Sequence, residues 1–167
     1  MAQGDCFLKL VASRAGAIKG ESSDPDFLTY IVISAWTWGL QAPTDGFNRA
    51  TGKTQARSID FSCLVDSSYP AMLSVLVTND VIKTATLEMR RAGGAGANAK
   101  AHNYMSINLK KARLVSLAIS HSASEIIPVV RGSLVFEEVM VDYRVQGSHG
   151  GAGGGASSFN WQISDQA

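Results

Sequence analysis

A chain of 167 residues is long enough for one domain with a substantial core. Its 15 Lys and Arg nearly balance 14 Asp and Glu, and a net charge of +1 offers no basic field for nucleic acid or acidic lipid. Charged residues make up only 17% against 46% hydrophobic, so part of the surface is expected to be covered by copies of the chain itself.

The opening MAQGDCFLKLVASR lacks a basic start followed by a long apolar run, so a cleaved export signal is not expected. The chain is expected to be made and folded in a cytoplasm, with any export by a route that needs no such signal. No stretch approaches the roughly 18 apolar residues of a membrane helix, and no membrane insertion is expected.

Period-two patterning dominates and predicts a mainly β chain. Residues 6–12 (CFLKLVA) read as a first strand. Residues 27–38 (FLTYIVISAWTW) are apolar on both faces: Phe27, Ile31, Ile33 and Ala35 on one, Leu28, Tyr30, Val32, Trp36 and Trp38 on the other. A strand wetted on one side alternates more cleanly, so both faces are expected to be covered. Residues 40–53 (LQAPTDGFNRATGK) are polar and read as a long flexible loop. Residues 55–65 alternate, with Ile59, Phe61, Cys63 and Val65 inward.

One helix is predicted, over about 68–78. Asp66, Ser67 and Ser68 offer capping oxygens and Pro70 suits a first turn. Its AMLSVLV run is apolar nearly all round, which predicts burial on several sides. Strands resume at 82–91, at 103–120 in one long or bent run, and at 129–146, where Val135, Val139, Val141, Tyr143 and Val145 share a face. The glycine-rich stretches near 93–101 and 147–158 read as flexible connectors, and FNWQI at 159–163 as a closing strand. The expected architecture is a single domain over 1–167: a two-sheet β-barrel or sandwich with one short helix.

Signatures of catalysis and cofactor binding fail on spacing. In GFNRATGKT, Gly46 stands one residue too early for a phosphate loop, and a strand pattern follows where a helix is required. Gly94 and Gly96 begin a GxGxxG that Ala99 breaks. His102, His121 and His149 are scattered, none at metal-ligand spacing from another histidine or a cysteine. Glu137 and Glu138 are adjacent and point to opposite faces of a strand, and GxSxG is missing. No catalytic residue, metal or cofactor is assigned. Two cysteines, Cys6 and Cys63, are too few for a disulfide scaffold; Cys63, in an apolar strand pattern, reads as a buried thiol.

The ordered set of IKGES at 18–22, SAWTWG at 34–39, FSCLVDSSYPAML at 61–73, ATLEMRRAGG at 85–94, VDYRVQ at 141–146 and FNWQI at 159–163 resembles the haemolysin-coregulated protein (Hcp) family of bacterial type VI secretion. The resemblance covers nearly the whole chain. Two positions depart from it: Phe27 stands where a histidine is common after the GES motif, and Val130 where a glutamate often opens the late strand.

The resemblance implies a homo-hexameric ring whose copies stack into a secreted tube. It also implies a VgrG-type spike protein, contractile sheath proteins and small effector proteins carried in the lumen as partners. On this reading Trp36 and Trp38 are core aromatics packed into the barrel, and Thr37 points the other way, towards the lumen. Loop 40–53, with Asp45, Phe47, Arg49 and Lys53, is too long and too rich in distinct side chains for a mere connector, and is expected to reach a neighbouring subunit or ring. Two alternatives compete. Thr37 is ordinary surface in one; in the other the tryptophans form an exposed aromatic platform on a carbohydrate-binding β-sandwich.

Overall fold

The computed structural model describes residues 5–91, 101–146 and 152–163. Its elements in chain order are β1 (Asp5–Ala12), β2 (Gly16–Ile18), β3 (Ile31–Thr37), β4 (Leu40–Gln41), β5 (Gln55–Ala56), β6 (Ile59–Leu64), α1 (Ser68–Val77), β7 (Ile82–Arg91), β8 (His102–Ser120), β9 (Val129–Val135), β10 (Glu138–Gln146) and β11 (Ala152–Gln162). Strands β8, β7, β1, β3, β6 and β9 pair in that order, and β9 returns to β8, which closes a barrel. Strands β10 and β11 extend the sheet outward from the first half of β8. The mainly β barrel with one helix is the architecture expected from the patterning.

Closure depends on one bent strand. The first half of β8 pairs with β7 and β10, and its second half with β9. Between the halves, Lys111 takes a left-handed backbone (φ 49°), and a bulge lies between Leu114 and Ser116. A bulge adds bend and twist, which turns a strand from one wall into the next. The interior is filled by alternate residues of all six strands, among them Leu10, Ile31, Phe61, Ile107 and Leu134.

Several expected boundaries are corrected. The run 27–38 is a strand only from Ile31; Phe27–Tyr30 is a turn in which Thr29 has φ 64°. The run 129–146 is two strands, β9 and β10, broken at Phe136–Glu137. Residues 152–158, expected to be connector, are the first part of β11, with Ala156 opposite Arg144 and Ser158 opposite Asp142. Residues 147–151, and 93–100 of the other expected connector, lie outside the described residues. Helix α1 buries Met72 and Val75 but leaves Val77 83% exposed, so it is covered on one side rather than several.

Three long-range polar contacts hold the turns. Asp66, just before α1, accepts from the backbone N–H of Ser68 (2.9 Å) and of Glu21 (3.3 Å), while Glu21 accepts from the N–H of Ser67 (3.0 Å). The first helical N–H is therefore capped locally by Asp66, which the GES segment holds through Glu21, rather than by the side chain of Ser67. At the other end, buried Asp80 accepts from the N–H groups of Arg14 and Ala15, and the Arg14 guanidinium donates to the Thr78 carbonyl (2.7 Å). The hydrogen bonds from Ala15 and Arg14, with the Arg14 charge, hold the Asp80 carboxyl below its usual range. Third, Arg90 of β7 donates to Asp24 and to Asp5 (2.8 Å) and lies over the rings of Phe7 and Phe27. Phe27 stacks on Phe7 with centroids 4.3 Å apart, so the position that departs from the expected histidine is an aromatic plate under a guanidinium.

Gly20 is packed so closely that a Cβ there would lie 2.6 Å from the Tyr30 carbonyl oxygen and 2.8 Å from the Ile31 Cα. These are backbone atoms with nowhere to retreat. Gly20→Ala is expected to destabilise the chain by about 1–3 kcal/mol in urea unfolding, the usual range for overpacking; an unchanged midpoint would show that the 18–22 turn opens freely.

Arg90 also gives a pH dependence. Its hydrogen bond and charge depress the Asp24 pKa, so the pairing stabilises the fold above the ordinary aspartate range and is lost as pH falls through the lowered value. Acid titration of stability should therefore be shallower for Asp24→Asn than for the parent chain. Identical acid limbs would place the acid-sensitive contact elsewhere.

Candidate functional site

The tryptophan strand reconciles two patterns that strict alternation sets against each other. Ile33 lies opposite Cys63, yet Ala35 lies opposite Ser62 and Trp36 opposite Phe61, so β3 carries a bulge between Ile33 and Ala35. The extra residue reverses the phase of the strand. Ile31 and Ile33 point inward before it, and Trp36 points inward after it, packed with Trp38 against the core. Trp38 donates its indole N–H to the Arg57 carbonyl (3.0 Å) and meets the Phe136 ring edge-on at 5.9 Å. Both rings are half-buried. An aromatic platform for sugars requires both rings standing on the surface, whereas each is packed against the core.

Thr37 is exposed on the outer face, opposite Asp60. The same face continues across β6, β9 and the second half of β8 as a shallow trough of about 380 Å³, lined by Thr37, Ser62, Ser116, Ala118 and Ser133 with Asp60 and Arg131. Ala35, Trp36, Phe61 and Gly132 complete the lining, so its floor is mainly apolar, with hydroxyls and the two charges set into it. At one end the face changes character: Val32 (51% exposed) and Leu64 stand on adjacent strands, and Ile126 (97% exposed) and Ile127 project from the loop joining β8 to β9. The expectation that both faces of the tryptophan strand are covered therefore fails within one protomer.

Segment 40–53 is not a loose loop. Leu40 and Gln41 pair with Ala56 and Gln55, and Thr44 bridges Ala50, so it forms a hairpin. Its base is fixed where Arg57 donates to the Gly39 carbonyl through its backbone N–H and to the Gln41 side chain through its guanidinium (2.7 Å). At the tip, Asp45 accepts from the N–H groups of Phe47 (2.8 Å) and Arg49 (2.9 Å), an Asx-type turn that admits the left-handed Asn48 (φ 60°). Phe47 is 82% exposed, with the Arg49 guanidinium 5.8 Å from its ring centroid. Lys53 is exposed on the returning arm. Asp45, Phe47 and Arg49 are thus brought into one hydrogen-bonded tip, and Lys53 stands apart from it.

The remaining ionisable groups do not converge on a reactive centre. Among the described residues no three His, Cys, Asp or Glu side chains are grouped as metal ligands. His121 is exposed at the end of β8; His102 is half-buried with neither ring nitrogen hydrogen-bonded among the described residues; His149 lies outside them. Cys63 is buried and Cys6 half-buried, and burial pushes both thiols up to about 12, far from thiolate reactivity. No described helix is long and apolar enough to cross a membrane.

The barrel thus carries a hydrogen-bonded hairpin with an exposed aromatic tip, a shallow outer trough and exposed apolar residues beside it. Residues 7–143 match the family model described as type VI secretion system effector, Hcp. The chain is 28% identical over 162 residues to protein hcp1 of Pseudomonas aeruginosa, covering 95% of this chain and 94% of that one. In fold it is similar to a structure described as a type six secretion system protein (TM-score 0.81, 18% identity, 99% of each chain). It is also similar to Hcp1 from Salmonella typhimurium (TM-score 0.74, 23% identity, 100% of this chain and 99% of that one). The chain belongs to the Hcp family of the type VI secretion system. It is a structural component of the secreted tube and assembles with other copies; the family is not one of enzymes.

The two faces of β3 separate experimentally. Thr37→Gln adds an exposed polar chain and should change stability by no more than about 0.5 kcal/mol. Trp36→Ala or Trp38→Ala empties a half-filled core position and should cost about 3 kcal/mol, the low end for tryptophan truncation. Chemical denaturation of the three variants checks the assignment, and a destabilised Thr37→Gln beside an unaffected tryptophan variant would reverse it.

Proposed function

We propose that this chain closes into a hexameric ring, that rings stack through the 40–53 hairpin, and that the wall carrying Thr37 faces the lumen and its effector cargo. The observation that carries this reading is the contrast on the outer surface of the barrel. A shallow trough with few large projecting side chains sits beside bulky apolar residues (Val32, Leu64, Ile126 and Ile127) that a monomer has no reason to expose. A ring joined head to tail covers such a patch with a different patch of the next copy and closes without leaving either free.

On the same reading the tube travels with a VgrG-type spike, driven by contractile sheath proteins, and carries small effectors. It is made in the cytoplasm and leaves by the type VI secretion route. Its work is mechanical and binding, with no bond chemistry, and needs no metal or cofactor.

The hairpin supports a stacking role because hydrogen bonds within the chain already shape its tip without a partner. A preordered knob with one exposed aromatic ring loses little conformational entropy on docking. Native mass spectrometry should report a hexamer for the full chain. Replacing Thr44–Ala50 by a short turn should leave that hexamer intact while abolishing tubes and export. A stable monomer would refute the ring, and normal tubes from the shortened variant would refute the role of the hairpin.

A further inference from the structure

We infer that the trough beside Thr37 selects cargo by charge pairing, binding an extended polypeptide segment that carries one basic and one acidic side chain within a few residues of each other. This rests on reading that wall as the one that meets cargo.

The trough has two charged lining residues, Asp60 on β6 and Arg131 on β9. Their register is diagonal: Asp60 lies opposite Ser133, and Arg131 opposite Ser62. Diagonal neighbours on adjacent strands stand about 7–8 Å apart, within reach of a long side chain. Yet the two do not pair. Arg131 turns away to donate to the Ser120 hydroxyl (2.9 Å), and Asp60 accepts instead from the Ser58 hydroxyl (3.0 Å). Among the described residues neither has an ion-pair partner, and both are exposed.

Each therefore keeps most of its hydrogen-bonding capacity. A guanidinium has five N–H donors and a carboxylate about four lone-pair sites, and among the described residues one side-chain contact from each is used. Between them lie hydroxyls and methyls, which give a floor low enough for a chain to lie across.

The mode of recognition follows from the sheet. Strands β6 and β9 are each paired on both sides, so the floor offers no backbone edge to which a segment could add as a strand. Contact must come through side chains. An extended segment places alternate side chains about 6.5–7 Å apart on one face, close to the diagonal spacing of the two residue positions. A wall with one charge of each sign has no net field to favour a uniformly acidic or basic cargo. It favours a mixed sequence whose base meets Asp60 and whose acid meets Arg131. Repetition around a ring multiplies the weak single contact for any cargo long enough to reach several copies.

The test uses short fluorescein-labelled peptides on a Gly/Ser/Thr frame: one with Lys and Glu two residues apart, one with Gln at both places, one with two Lys. Binding to the assembled full chain is read by anisotropy at low and high salt, with assembly checked by light scattering. The mixed peptide should bind about fivefold tighter than the Gln peptide at low salt, the combined worth of two exposed ion pairs, and the preference should vanish at high salt. Arg131→Glu should transfer the preference to the two-Lys peptide. Equal binding of the mixed and Gln peptides, or binding of none, overturns the inference. If Thr37→Gln weakens every peptide while Arg131→Glu and Asp60→Asn change none, the charge assignment alone fails. If none of the three variants matters on intact assemblies, the cargo-facing reading of the wall fails with it.

Discussion

Strand β8 belongs to both walls of the barrel, and the rest of the molecule depends on its bend. Nineteen residues would make a long straight strand; the left-handed Lys111 and the bulge after Leu114 fold it into two. The first half lies between β7 and β10, so the sheet extends outward through β10 and β11. The second half reaches β9, which closes the ring of strands and completes the outer trough. Without the bend there is a flat sheet, an open edge and no wall for Thr37 to stand on.

A second irregularity does for side chains what the first does for strands. The bulge in β3 lets one strand direct Ile31 and Ile33 inward, then Trp36, while Thr37 goes out. Each tryptophan thereby serves two ends. It packs against the core, and it fixes a surface: Trp36 backs the trough, and Trp38, bonded to Arg57, holds the base of the 40–53 hairpin. The core and the proposed contact surfaces are one structure, so a change in either tryptophan is felt at the trough and the hairpin together.

Alternation in 55–65 made the inward set Ile59, Phe61 and Cys63 readable because β6 is regular and paired on both sides. Pro70 and the acidic-hydroxyl run before it marked α1, but not that Glu21 completes its cap from 46 residues away. The bulge in β3 was hidden because a bulge is defined by the partner strand, which local sequence does not name. The break between β9 and β10 has no glycine or proline to announce it. Strand β11 defeated composition altogether: a Gly- and Ser-rich run has low strand propensity, yet pairing with β10 fixes it. At the site, Thr37 and the hairpin tip were visible in the sequence. Asp60 and Arg131 were not, since only the pairing of β6 with β9 brings them together.

If the wall carrying Thr37 meets cargo, the outer face of β3, β6 and β9 is the inner wall of an assembly. Electron cryomicroscopy of the assembled protein, at a resolution that shows side chains, tests it most directly. A closed ring with Thr37, Asp60 and Arg131 directed at the axis is expected. A ring with those residues on its outer circumference, or buried between neighbouring subunits, would contradict it.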